Sequence, residues 1–147
     1  MKDTLLRLFT RDLEKLKENL SAYQKEENIW KVEQAISNSA GNLALHLIGN
    51  INHFIGTTLG NTDFIRDRER EFSNKHVPLE EMLGNIDNTI KVLETVIPAL
   101  DEKTFKSTYP INIFGKKDTI EYILIHLATH LTYHLGQVNY HRRLLDS

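Results

Sequence analysis

The chain has 147 residues, with 18 basic and 20 acidic side chains and no cysteine. That length suits one domain, residues 1–147, whose core needs no disulfide or metal staple. Near-neutral charge without a basic cluster argues against nucleic-acid and membrane-surface partners, and the missing cysteines leave only nitrogen and oxygen to hold a metal.

The start, Met1-Lys2-Asp3-Thr4, lacks the apolar centre of a signal peptide. No run approaches the roughly 18 apolar residues that a membrane span requires, so the expected location is cytoplasmic. From about Thr4 to Lys25, Leu5, Phe9, Leu13, Leu16, Leu20 and Tyr23 recur at spacings of three and four. Charged residues fill the gaps, which predicts an amphipathic helix with one buried stripe. A link containing Glu26 to Trp30 follows.

The second helix is expected to begin after Asn38 or Ser39, both good N-caps, and to stop near Leu59, before Gly60-Asn61. Leu43, Leu47 and Phe54 mark one side of it, and Ala44, Ile48, Ile51 and Ile55 another. A helix apolar nearly all round must be covered on more than one face. A second copy of the chain is a natural cover, so a homodimer is expected. Residues 61–75 contain Arg66-Asp67-Arg68-Glu69-Arg70-Glu71, which reads as a solvated loop or short helical turn. The sharper alternative is an arginine rim able to hold an anionic substrate.

Pro78 suits the first turn of a third helix. Leu79, Met82, Leu83, Ile86, Ile90, Leu93 and Ile97 give it a stripe up to Pro98. Residues 101–117 form the last connection, with Thr108 to Gly115 extended and able to form a small edge hairpin. Asp118-Thr119-Ile120-Glu121 reads as a capping box with Asp118 as N-cap. The fourth helix then runs to about Leu145, where Arg142 and Arg143 complement its dipole. Four long helices without a convincing sheet predict an all-α, antiparallel four-helix bundle. The two connections, 61–75 and 101–117, are expected to cover its pocket.

The fourth helix holds the chemistry. His126, His130 and His134 follow one another at intervals of four, and four residues advance a helix by about 400°, so the rings share one face. Leu124, Leu127, Leu131 and Val138 flank that stripe and turn it inward. On the second helix His46, Asn50 and His53 also share a face. A His pair at i, i+4 can place two ring nitrogens on one divalent metal, and a third donor must come from another helix. His46, in mid-segment, is the natural choice, with His53 and His126 in reserve. Three neutral imidazoles leave a position open for water or substrate. Asn50, His53 and His126 are then candidates for the pocket. Tyr133 could bring a hydroxyl beside the metal, and Gln137 could orient a ligand ring. His141, near the helix end, is expected in solvent, and His76 is an incidental loop residue. There is no His-Glu-x-x-His, no Glu-x-x-His pair, no haem-attachment motif, no phosphate loop and no nucleophile elbow.

These residues resemble the DinB/YfiT-like superfamily of metalloenzymes. The likeness rests on His46 in helix two and on His130-x-x-x-His134-x-Gly136-Gln137 in helix four. The segments 42–54 and 134–143 are similar to a bacterial subgroup of unknown function. The resemblance covers essentially the whole chain. It implies an up-down-down-up bundle with nickel or zinc held by His46, His130 and His134, and a dimer. It also implies a small-molecule substrate. Some relatives are transferases or isomerases that use a low-molecular-weight thiol such as bacillithiol. Many relatives carry His-Arg-Gly-Gln where this chain has His134-Leu135-Gly136-Gln137, so a role for that arginine does not transfer. The expected function is a metal-dependent, thiol-using S-transferase or a hydrolase. The alternative is a non-catalytic dimeric bundle that binds a metal or a small ligand.

Overall fold

A computed structural model describes all residues, Met1–Ser147, and is built from helices without a strand. Four long helices carry the fold: α1 (Lys2–Ser21), α2 (Ala40–Ile51), α4 (Leu79–Ala99) and α6 (Ile120–Leu145). Two short ones, α3 (Arg68–Ser73) and α5 (Glu102–Lys106), lie in the connections. The helix α2 does not stop at Ile51 but continues through a π-helical stretch, Asn52–Thr57, and a last turn, Thr58–Gly60. Asn61 ends it in the left-handed region, at φ 53°, a conformation Asn tolerates better than most residues. None of these helices is long and apolar enough to cross a membrane.

The expected elements are present, with shifts at their ends. The first helix closes at Ser21, not Lys25, and a 3₁₀ turn over Glu26–Trp30 buries Ile29 and Trp30. Ser39 is the N-cap of α2: its Oγ accepts from the Asn42 N–H at 3.1 Å. At the head of α6 the cap is Thr119, which accepts from Tyr122 N–H, and not Asp118. The reason is a single bridge, Thr108 with Thr119, that holds the chain extended one residue further. That bridge replaces the hairpin expected in 108–115. The run Arg66 to Glu71 includes the short turn α3, whose N-cap Asp67 accepts from Arg70 N–H.

Side-chain contacts fix the direction of the helices. Lys2 Nζ donates to Pro98 O, and Lys17 pairs with Asp87, so α1 and α4 run in opposite senses. Thr132 donates to Asp12, and Asn139 to Asn19, so α1 and α6 run in the same sense. Asn52 donates to Thr89, and a Cβ on Gly60 would meet Val96, so α2 and α4 also run together. α2 packs against α4 and α6, as α1 does from the other side. One contiguous cluster of 32 buried apolar residues fills the space between the four, so the long helices share one core.

All of α2 from Ala40 to Ile51 is buried except Leu45. Its outward side is covered by α3 and the 3₁₀ turn of the same chain. The two-faced apolar pattern that suggested a partner subunit is therefore satisfied within one chain.

Candidate metal centre

The centre forms where α2 faces α6. His46 Nε2 lies 3.2 Å from His130 Nε2, and His134 Nε2 lies 3.1 Å from the same atom. His46 comes from α2, and His130 and His134 are one turn apart on α6, so two elements close on one point. A ligand atom from each of the three rings falls within 4.8 Å of the others, close enough to bind a single ion. Nitrogens on one tetrahedral zinc, with bonds of about 2.0–2.1 Å, stand roughly 3.3 Å apart, so the two spacings to His130 fit.

The outer nitrogens determine what the inner ones present. Glu71 Oε1 lies 3.0 Å from His46 Nδ1 and accepts its proton. Gln137 Oε1 does the same for His134 Nδ1 at 2.7 Å. A ring that carries its single proton on Nδ1 presents Nε2 as a bare lone pair. Both lone pairs face His130 Nε2, which has at most one proton to give. One proton satisfies one of the two contacts, whereas a cation at the centre satisfies all three nitrogens. This is the pattern in which the far nitrogen of a metal-bound imidazole donates to an oxygen.

Burial supports the neutral state. His130 is pushed down to about 4 from 6.5, first by burial and then by His134, His46, His126 and Arg66. His134 is lowered too, chiefly by burial, against the opposing effect of its hydrogen bond to Gln137. Burial alone would raise the Glu71 carboxyl, but hydrogen bonds from His46 and Arg66 outweigh it and hold it below the usual range. Arg66 donates to Glu71 through Nε at 2.8 Å and Nη2 at 2.9 Å. This two-pronged ion pair fixes the carboxylate in place.

Glu71 and Arg66 enter the site through the charged run, which is only partly the solvated stretch its composition suggests. Their side chains are 7% and 12% exposed. Arg66 serves the ion pair and is not a free rim. Arg68 and Arg70 lie outside, on the solvent side of α3. Gly49, one turn beyond His46, makes room for the carboxylate: a Cβ there would lie 1.9 Å from Glu71 Oε2. A helix-interior glycine costs about 1 kcal/mol relative to alanine, and this close approach is its structural reason.

The remaining candidates are scattered around this core. Asn50 is buried with its Oδ1 unpartnered, as is His130 Nδ1. His53 is half-buried beside Phe54, and burial lowers its pKa. His126 stacks parallel to His130 at 6.4 Å between ring centres and is covered by Phe114 at 4.6 Å. Neither His53 nor His126 joins the three converging nitrogens. Tyr133 stands 65% exposed next to the His134 ring, and none of the hydrogen bonds of the centre involves its hydroxyl. His141 is not in solvent: it is 4% exposed, taking the Tyr23 hydroxyl on Nδ1 at 2.6 Å and donating from Nε2 to Lys31 O. His76 is an exposed loop residue at φ 57°.

A family described as a protein of unknown function, DUF1572, matches residues 4–147. The chain belongs to the DUF1572 family. No curated protein matches it. The DUF1572 match takes in every residue of the centre, from His46 through Arg66 and Glu71 to His130, His134 and Gln137.

Proposed function

We propose that this DUF1572 chain is a divalent-metal enzyme of DinB/YfiT-like architecture. His46, His130 and His134 would hold nickel or zinc, and the chemistry would be thiol-dependent S-transfer of the bacillithiol type, or hydrolysis. The observation that carries the reading is the convergence of three imidazoles, with the Nε2 atoms of His46 and His134 at 3.2 and 3.1 Å from His130 Nε2 and all three ligand atoms within 4.8 Å, while Glu71 and Gln137 take the Nδ1 protons of His46 and His134. The helix directions support the architecture: α1 and α6 run one way, α2 and α4 the other, which is an up-down-down-up order.

A metal bound by three neutral imidazoles keeps a position for an outside ligand, and supplies the Lewis acidity that brings a bound thiol or water to ionise near neutral pH. The chain's own part is to hold His130 and His134 neutral by burial, to aim His46 through Glu71 and His134 through Gln137, and to keep Arg66 off the metal by pairing it with Glu71. With no cysteine in the sequence, a reacting thiol must arrive as a small-molecule co-substrate.

Elemental analysis of untagged protein tests the first step. About one equivalent of nickel or zinc per chain is expected, and less than about one half in His130→Ala, since three-ligand sites seldom survive loss of one. Failure to recover metal after reconstitution would remove this reading. Wild-type content in His130→Ala would show that the ligands are misassigned.

A second reading keeps the metal but not the turnover: a dimeric bundle that binds a metal or a small ligand. It is favoured by the engagement of Glu71, the acid at the centre, whose oxygens are both taken by His46 and Arg66. Turnover of a thiol with an electrophile, abolished by chelation, separates the two. A dimer would use a surface other than Ala40–Ile51, which its own chain already covers.

A further inference from the structure

A cleft of ≈480 Å³ lies between the carboxyl-terminal half of α6 and the connection that leads into α2. Its wall includes His134 and Gln137, so it adjoins the candidate metal centre directly. The connections expected to cover the pocket reach the centre elsewhere, 61–75 through Arg66 and Glu71 and 101–117 through Phe114 over His126, and neither lines this cleft. Ala35 to Asn38 do, on the side opposite α6.

The lining has no fixed charge. None of its eleven residues is Asp, Glu, Lys or Arg. Such residues make up 26% of the chain, so about three would be expected among eleven drawn at ordinary protein frequencies. The two imidazoles in the wall are engaged: His134 donates to Gln137, and His141 is held between Tyr23 and Lys31 O. A charged ligand would lose hydration here with no opposite charge in the lining to offset it, and the Arg143 guanidinium by the mouth is stacked over the Tyr140 ring, 5.2 Å from its centroid. Leu43 and Ile36 supply an apolar floor, while Tyr133 and Tyr140, 65% and 61% exposed, frame the mouth with amphipathic rings. The volume falls in the range of about 300–1,000 Å³ that suits a small organic molecule.

We propose that this cleft seats the uncharged, apolar or aromatic body of a small molecule, with its reactive end toward His134. The chemical class follows from the lining alone. Its standing as substrate, with a reacting end at the metal, rests on the proposed metal function.

The test uses two probes that share one body. N-phenyl-1-naphthylamine is uncharged, and 1-anilinonaphthalene-8-sulfonate adds an anionic group to it. The full-length protein, metal-loaded and metal-free, should bind the neutral probe saturably at one per chain, at least ten-fold more tightly than the sulfonate. Tyr140→Asp and Ile36→Asp should each weaken the neutral probe ten-fold or more while leaving metal content unchanged. In protein loaded with a paramagnetic ion in place of zinc, the bound probe's proton relaxation should be enhanced.

No saturable binding, equal affinity for both probes, or indifference to both substitutions would overturn the assignment of class. Binding without enhanced relaxation would overturn the placement beside the metal. If sedimentation shows that self-association displaces the probe, a second copy of the chain covers the cleft and the proposal fails. A protein that takes up no metal but binds the neutral probe selectively refutes the metal reading and leaves the assignment of class standing, so the two failures are distinct.

Discussion

Replacing Glu71 is the sharpest perturbation of the centre, because Glu71 touches no inner nitrogen and acts only through His46. Its Oε1 holds His46 Nδ1 at 3.0 Å, and its carboxylate is shared with Arg66 at 2.8 and 2.9 Å. In Glu71→Ala, His46 loses the acceptor that fixes its tautomer, and Nε2 is protonated part of the time. Losing such an outer partner costs roughly 10–100-fold in metal affinity. The upper part of that range is expected, because the change also frees a cation beside the site: Arg66 Nη2 already lies 3.5 Å from His46 Nδ1. A hundred-fold loss corresponds to about 2.7 kcal/mol. Glu71→Gln keeps an oxygen for His46 but not the charge that steadies Arg66, so about a ten-fold loss is expected.

The assay is chelator competition for zinc at neutral pH, on variants first shown by circular dichroism to be folded. A general loss of structure would lower the melting temperature of both variants without ranking their affinities. The expected order is wild type, then Gln, then Ala, with Arg66→Ala in the Glu71→Ala background recovering part of the loss. Zinc affinity of Glu71→Ala within two-fold of wild type would refute the claim that the carboxylate positions His46.

Other outcomes follow from the same geometry. Gly49→Ala should weaken zinc binding in the same direction as Glu71→Gln, since its Cβ would displace the carboxylate; unaltered affinity in the competition assay would contradict this. In metal-free protein the His130 ring should titrate by NMR at about 4, below its ordinary 6.5. Because the folded value is depressed, stability from this group is full above 6.5 and lost as pH falls toward about 4; a titration at or above 6.5 would contradict the burial argument. Zinc at a hundred times its dissociation constant should stabilise the wild type by about 2.7 kcal/mol, and His134→Ala should lose that increment; equal thermal shifts would deny His134 a role. Ser39→Ala should destabilise the fold by about 1 kcal/mol, read from a denaturant midpoint, since its Oγ both accepts from Asn42 N–H and donates to Asn42 Oδ1; an unmoved midpoint would contradict the cap.

What could be read from sequence was whatever repeats locally. Periodicity located the four long helices, and the i, i+4 spacing of His130 and His134, with His46 in an uncharged helix, located the three rings. The neighbours set by long-range pairing were not legible. Glu71 reaches His46 across 25 residues, and its run of alternating charges looks like many exposed loops. Gly49 was the one local sign, a glycine inside a helix one turn past a candidate ligand, with nothing in the helix to explain it. His141 was misplaced for a similar reason: its position near a helix end suggested solvent, but Tyr23 and Lys31, over a hundred residues away, enclose it.

The wiring explains why these features occur together. Because α2 and α4 run in the same sense, the chain leaving α2 at Gly60 must travel back along the helix before α4 can begin at Leu79. An α2 of about 20 residues is about 30 Å long. Residues 61–78 could span about 60 Å if extended, so they can retrace that length with enough slack to form α3. A direct antiparallel hairpin would have left the outer face of α2 bare. The return segment covers that face, which is why the helix can be apolar on two sides without a partner subunit. The same passage carries Arg66 and Glu71 past Gly49 to the far nitrogen of His46. The burial of α2 and the orientation of His46 thus have one cause, the parallel crossover, and shortening the 61–78 segment would disturb both together.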